Sequence, residues 1–80
     1  MYILSTSEQV GYQLSARRKA LGLTQQEVAS RLGISQNRLS ELESRPALLT
    51  VERLLALSGI LGLELALQER PKAPAPKSEW

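Results

Sequence analysis

The stretch Thr24–Glu43, TQQEVASRLGISQNRLSELE, decides how this chain folds. Thr24 can cap a helix with its hydroxyl. Glu27, three residues on, can accept from the N–H of Thr24, which completes a capping box. Val28 and Leu32 fall four apart on one face, with the small Ala29 beside them. Gly33 is able to take positive φ and stop the helix. Ile34 follows as an apolar plug, and Ser35 is a good N-cap for a second helix, whose Leu39 and Leu42 lie three apart on its inner face.

The outer face of that second helix is polar: Gln36, Asn37, Arg38, Ser40 and Glu41. Amides, a guanidinium and a hydroxyl can pair with base edges and phosphates in a major groove. The small Ala29 lets the two helices approach closely, and Gly33 fits the bend of a helix-turn-helix, whose second helix enters the groove. A helical hairpin serving only as core is the plainer alternative. It gives no reason for caps, small residue, glycine and polar face to agree at fixed offsets.

Composition narrows the rest. Eighty residues form one small domain with a modest core, and 42 % hydrophobic content without Phe makes that core aliphatic. Cys and His are both absent, so disulfides, thiolate sites and zinc chemistry are not expected, and the commonest general base and thiol nucleophile are missing. No cofactor or metal ligand set is expected, and no enzyme motif stands out. No apolar run reaches membrane-spanning length, so a cytoplasmic protein is expected. The net charge of +2 matters less than its placement: Arg17, Arg18 and Lys19 precede the motif, with Arg38 and Arg45 within and after it. Clustered cations beside a reading helix are the footprint of phosphate contact.

Before the motif, Ser5, Thr6 and Ser7 offer N-caps with Glu8 and Gln9 placed for a capping box. A helix should run from there to Leu21, burying Val10, Leu14 and Leu21, with Gly11 as an internal cost of about 1 kcal/mol relative to Ala. After the motif, Pro46 keeps Ser44-Arg45-Pro46 as a loop. Thr50 caps a fourth helix bearing Val51, Leu54, Leu55 and Leu57, which loosens at Ser58-Gly59 and closes at Gly62. Leu63–Gln68, LELALQ, changes period: Leu63, Leu65 and Leu67 alternate with Glu64, Ala66 and Gln68, which favours a strand. A lone strand leaves its backbone unpaired, and the simplest partner is the same strand from a second copy. Residues 69–80, ERPKAPAPKSEW, have the composition of a disordered tail with polyproline bias, and the terminal Trp80 gains nothing for the chain itself. The expected layout is therefore a folded domain over 5–68 and a tail over 69–80.

With these residues in view, LGLTQQEVASRLGISQNRLSELE resembles the Cro/C1-type (XRE) helix-turn-helix family, over about Leu14 to Leu63. The resemblance implies an all-α, lambda-repressor-like domain of four to five helices, here with a short C-terminal strand, and dimeric binding to palindromic double-stranded DNA. It places base contacts on Gln36, Asn37 and Ser40, with Arg38 exposed beside them. Backbone contacts fall on Thr24 and Gln25, and Ser35, Lys19 and Arg45 complete the expected phosphate set. It also implies that Arg18 pairs with Glu43, making Arg18 structural. Glu41 on the outer face departs from a simple DNA surface, unless it accepts from cytosine N4, Arg38 or Arg45.

Within that family the chain is most similar to the HipB antitoxins, on its size, the ending LGLELALQ and a tail finishing in Glu79-Trp80. That similarity implies an autorepressing antitoxin and a HipA-like kinase toxin whose pocket takes Trp80, while the unpaired strand itself points to a homodimer joined through Leu63, Leu65 and Leu67. A stand-alone regulator of the same family, and a protein-interaction module without DNA binding, are the alternatives. The polar reading helix argues against the module.

Overall fold

A computed structural model describes residues 2–70. Among them are four α-helices: α1 (Ser7–Ala20), α2 (Gln25–Leu32), α3 (Gln36–Ser44) and α4 (Val51–Ile60), with a 3₁₀ turn at Pro46–Leu48 between α3 and α4. Local chemistry explains each start. The Gln9 N–H donates to Thr6 Oγ1 at 3.2 Å and the Thr6 N–H returns to Gln9 Oε1 at 3.3 Å. The Thr24–Glu27 box is tighter, at 3.0 and 2.8 Å. Ser35 and Thr50 accept from the N–H groups of Arg38 and Arg53, both at 3.0 Å. Four helices thus begin where a hydroxyl satisfies an orphan donor.

Stops are equally local. Gly33 sits at φ 75° and Gly62 at φ 70°, the left-handed region that a side chain disfavours. After Gly33 the Ile34 N–H reaches back to the Ala29 carbonyl at 3.0 Å, closing α2 and turning Ile34 toward the core. The expected loop at Pro46 is a helical turn instead. Proline has no N–H to lose at a helix start, so it ends α3 and begins the 3₁₀ turn.

The core is aliphatic: Leu14, Val28, Ala29, Leu39, Leu57 and Leu61 pack together, with Val10, Ile34, Leu54 and Leu63 partly buried around them. Leu39, fully enclosed, contributes about 1.5–3 kcal/mol by burial. Three expected core positions lie outside. Leu21 caps α1 in a turn and faces solvent, and Val51 and Leu55 are 73 % and 53 % exposed. Helix α4 and the Leu61 that caps it bury the Leu54/Leu57/Leu61 stripe, and 100° of rotation per residue sets Val51 and Leu55 on its exposed flank. Ser58 and Gly59 do not loosen the helix, which continues through both to Ile60.

Gly11 was a cost on the sequence alone, and the packing gives its reason. A Cβ there would lie 2.6 Å from Pro46 Cγ and 2.9 Å from the Glu43 carbonyl oxygen. The missing side chain is what lets α1 cross the end of α3.

Residues 63–70 carry neither helix nor strand, and among the described residues there is no strand at all. The expected strand over Leu63–Gln68 and its pairing are thus not met in the single chain. A strand exists through hydrogen bonds to a neighbour, and among the described residues no second strand pairs with it. Leu63 is partly buried on the core, whereas Leu65 is 46 % and Leu67 fully exposed. The proposed tail begins at Glu69 and Arg70. Its remainder, residues 71–80 with Trp80, lies outside the described residues.

Candidate nucleic-acid interface

The interface is built on α3, and what holds α3 in place is a polar cluster behind it. Arg18 of α1 meets Glu43 in the last turn of α3 through two bonds, Nε to Oε2 at 2.8 Å and Nη2 to Oε1 at 3.1 Å. Its third nitrogen, Nη1, donates to the Leu23 carbonyl at 2.9 Å, in the turn before α2. Glu43 Oε1 also accepts from Gln25 Nε2 at 3.0 Å, at the start of α2. One carboxylate thereby joins three helices. Burial pushes the Glu43 carboxyl up, but the hydrogen bonds from Arg18 and Gln25 and the Arg18 charge outweigh it, so it sits below its usual range.

Away from that cluster, Gln36, Asn37, Arg38 and Ser40 are all exposed, while Leu39 and Leu42 are buried. All four expected base-reading positions are therefore accessible, although at 100° per residue Arg38 stands roughly 160° round the helix from Gln36. Arg38 is not unengaged: its Nη1 donates to Glu41 Oε1 at 2.6 Å across one turn. That answers what Glu41 does on the outer face.

The expected phosphate contacts divide. Lys19, Ser35 and Arg45 are exposed. Thr24 has its hydroxyl occupied by Glu27, accepting from the N–H at 3.0 Å and donating to Oε1 at 3.1 Å. Gln25 is half-buried and its amide is spent on Glu43. The backbone N–H of Thr24 donates to Glu27, whose carboxyl is held below its usual range by that bond and then by the Thr24 hydroxyl.

The cation run Arg17-Arg18-Lys19 looked alike in sequence, yet its members do three different jobs. Successive residues of a helix point 100° apart. Arg17 Nε donates to the Leu61 carbonyl at 2.9 Å and closes α4, Arg18 enters the buried cluster, and Lys19 faces water. Only Lys19 keeps its charge for a partner. Arg53 likewise reaches the Leu32 carbonyl at the end of α2. Orphan carbonyls at helix ends accept cations readily, but which arginine reaches which carbonyl is decided by packing, and no sequence signal pointed to Arg17 or Arg53.

Among the described residues no group of His, Cys, Asp and Glu is arranged to hold a metal, and no helix is long and apolar enough to cross a membrane. The pattern of the helix-turn-helix family matches residues 14–68, from Leu14 inside α1 to Gln68. No curated protein matches the chain.

Proposed function

The chain belongs to the XRE-type helix-turn-helix family of DNA-binding regulators, and from that premise we propose that it is a sequence-specific repressor binding a palindromic operator as a homodimer. The observation that carries this reading is the exposure of Gln36, Asn37, Arg38 and Ser40 on a helix whose Leu39 and Leu42 are locked into the core. Amides reach adenine edges and a guanidinium reaches guanine, while Lys19, Ser35 and Arg45 supply the flanking backbone contacts. Two such helices related by a dyad would meet successive major grooves about 34 Å apart. The dyad is assigned to Leu63, Leu65 and Leu67: a second copy would give Leu63–Gln68 the strand partner it lacks and cover the exposed Leu65 and Leu67.

The same reading extends to an antitoxin that represses its own operon and engages a HipA-like kinase toxin. Its support is the stretch Leu61–Gln68, LGLELALQ, together with Trp80, since Trp is a favoured anchor in a partner's pocket. Calorimetry of the wild type and Trp80→Ala against a neighbouring kinase-like toxin tests it. Absence of binding by the wild type would leave the stand-alone repressor.

For DNA binding the test is substitution on the reading face. Gln36→Ala and Asn37→Ala should each cost about 1–3 kcal/mol of operator affinity and relax base preference. Lys19→Ala should weaken all duplexes alike and flatten the salt dependence. Unchanged affinity and preference for both α3 variants would put the reading face elsewhere.

A further inference from the structure

Arg38 is the one cation between Gln36 and Ser44, and it is bound to the one exposed anion of that helix. The other carboxylate, Glu43, is consumed by Arg18 behind the helix. The exposed charge of α3 therefore cancels, and a reading helix that would draw in any phosphate presents hydrogen-bonding groups instead. We propose that Glu41 is a positioning residue that holds Arg38 back from phosphates, so that α3 discriminates by base edge more than by charge. The proposal rests on the DNA-binding reading above.

The physics is a difference between two acceptors. A phosphate approached by Arg38 brings its negative charge up to the Glu41 carboxylate, 2.6 Å from the guanidinium, and the two anions repel. A base edge is neutral and meets no such penalty. Only one guanidinium arm is used by Glu41, and the Arg38 side chain is 48 % exposed, so donors remain for a base edge while the pair stays intact. Phosphate contacts dominate affinity for arbitrary DNA, whereas base contacts carry sequence information. An intrahelical carboxylate that taxes the first and spares the second raises the ratio between them.

The test is Glu41→Gln, which keeps the shape and removes the charge at an exposed position. Binding to mixed-sequence duplex and to the tightest duplex that the wild type selects from a randomised pool is measured across a range of salt. Releasing one guanidinium to phosphate adds about one effective contact, so the variant should bind mixed-sequence DNA about fivefold to tenfold more tightly near 0.1 M salt, with the log–log salt slope steeper by about 0.9. Its preference for the selected duplex should fall accordingly. In an Arg38→Ala background the same substitution should change the slope clearly less, because there is no guanidinium to release. An equal change in both backgrounds would reduce Glu41 to plain charge repulsion and overturn the proposal. So would weaker binding to the selected duplex alone, which would make Glu41 itself a base reader. Salt-dependent binding by the wild type with no response to Glu41→Gln would overturn this proposal and leave the DNA reading standing. No duplex binding by any variant would overturn both.

Discussion

Arg18 and Glu43, 25 residues apart in sequence, face each other in a two-point ion pair at 2.8 and 3.1 Å, each side chain only 9 % exposed. The pair is where α1 grips the end of α3. Removing one partner of a buried pair strands the other, at a cost of about 3–5 kcal/mol, a large part of what a small domain has. Glu43→Ala should therefore unfold at far lower urea than the wild type, and a midpoint within error of the wild type would deny the pair its structural role.

The same carboxylate predicts the acid limb. Its folded pKa is depressed, so the unfolded chain binds more protons, and the stabilisation is present above the unfolded value of about 4.3 and lost as pH falls below it toward the folded one. Glu43→Gln cannot titrate there. Its stability should fall less steeply than the wild type's as pH drops below about 4.3, as followed by circular dichroism. Parallel acid limbs would place the titrating group elsewhere.

Gly11→Ala should destabilise, although alanine is the better helix former by about 1 kcal/mol. The added carbon would overlap Pro46 and the Glu43 carbonyl, and overpacking of this kind costs about 1–3 kcal/mol. Because Glu43 lies in the last turn of α3 and Pro46 starts the turn that follows it, operator affinity should drop together with the thermal midpoint. A raised midpoint would mean that α1 shifts freely and that the close approach is dispensable.

Ser58→Ala runs the other way. The hydroxyl is buried within α4 with no hydrogen-bond partner among the described residues. Removing it should raise stability by about 1 kcal/mol, partly through helix propensity. Denaturant titration reads this as a higher midpoint at unchanged slope. A lower midpoint would show that the hydroxyl is bonded in solution after all.

Leu65→Pro tests the assembly. Proline removes a ladder N–H and fixes φ, so a dimer held by paired Leu63–Gln68 segments should dissociate in sedimentation velocity. If that variant stays dimeric, the contact must lie elsewhere, with the exposed Val51 and Leu55 face of α4 the first place to look.

What the sequence determined by itself is what short-range chemistry controls. Thr24 with Glu27, Gly33, Ser35 and Thr50 mark helix ends because a cap or a left-handed turn involves residues three or four apart, and all four function as their local signals imply. Leu39 and Leu42 are inward because their spacing leaves no other face, which makes Gln36, Asn37 and Ser40 outward by the same geometry. Tertiary structure alone decided what depends on meeting a distant residue. It separated Arg17, Arg18 and Lys19 into a helix cap, a buried pair and an exposed charge, and it spent the Gln25 amide on Glu43. It also turned Gly11 from a local cost into a contact and set Val51 and Leu55 outside the core. The Leu63–Gln68 segment marks the boundary between the two: alternation is written in the residues, but a strand is a hydrogen-bonded relation, and it exists only where a second strand supplies the other half.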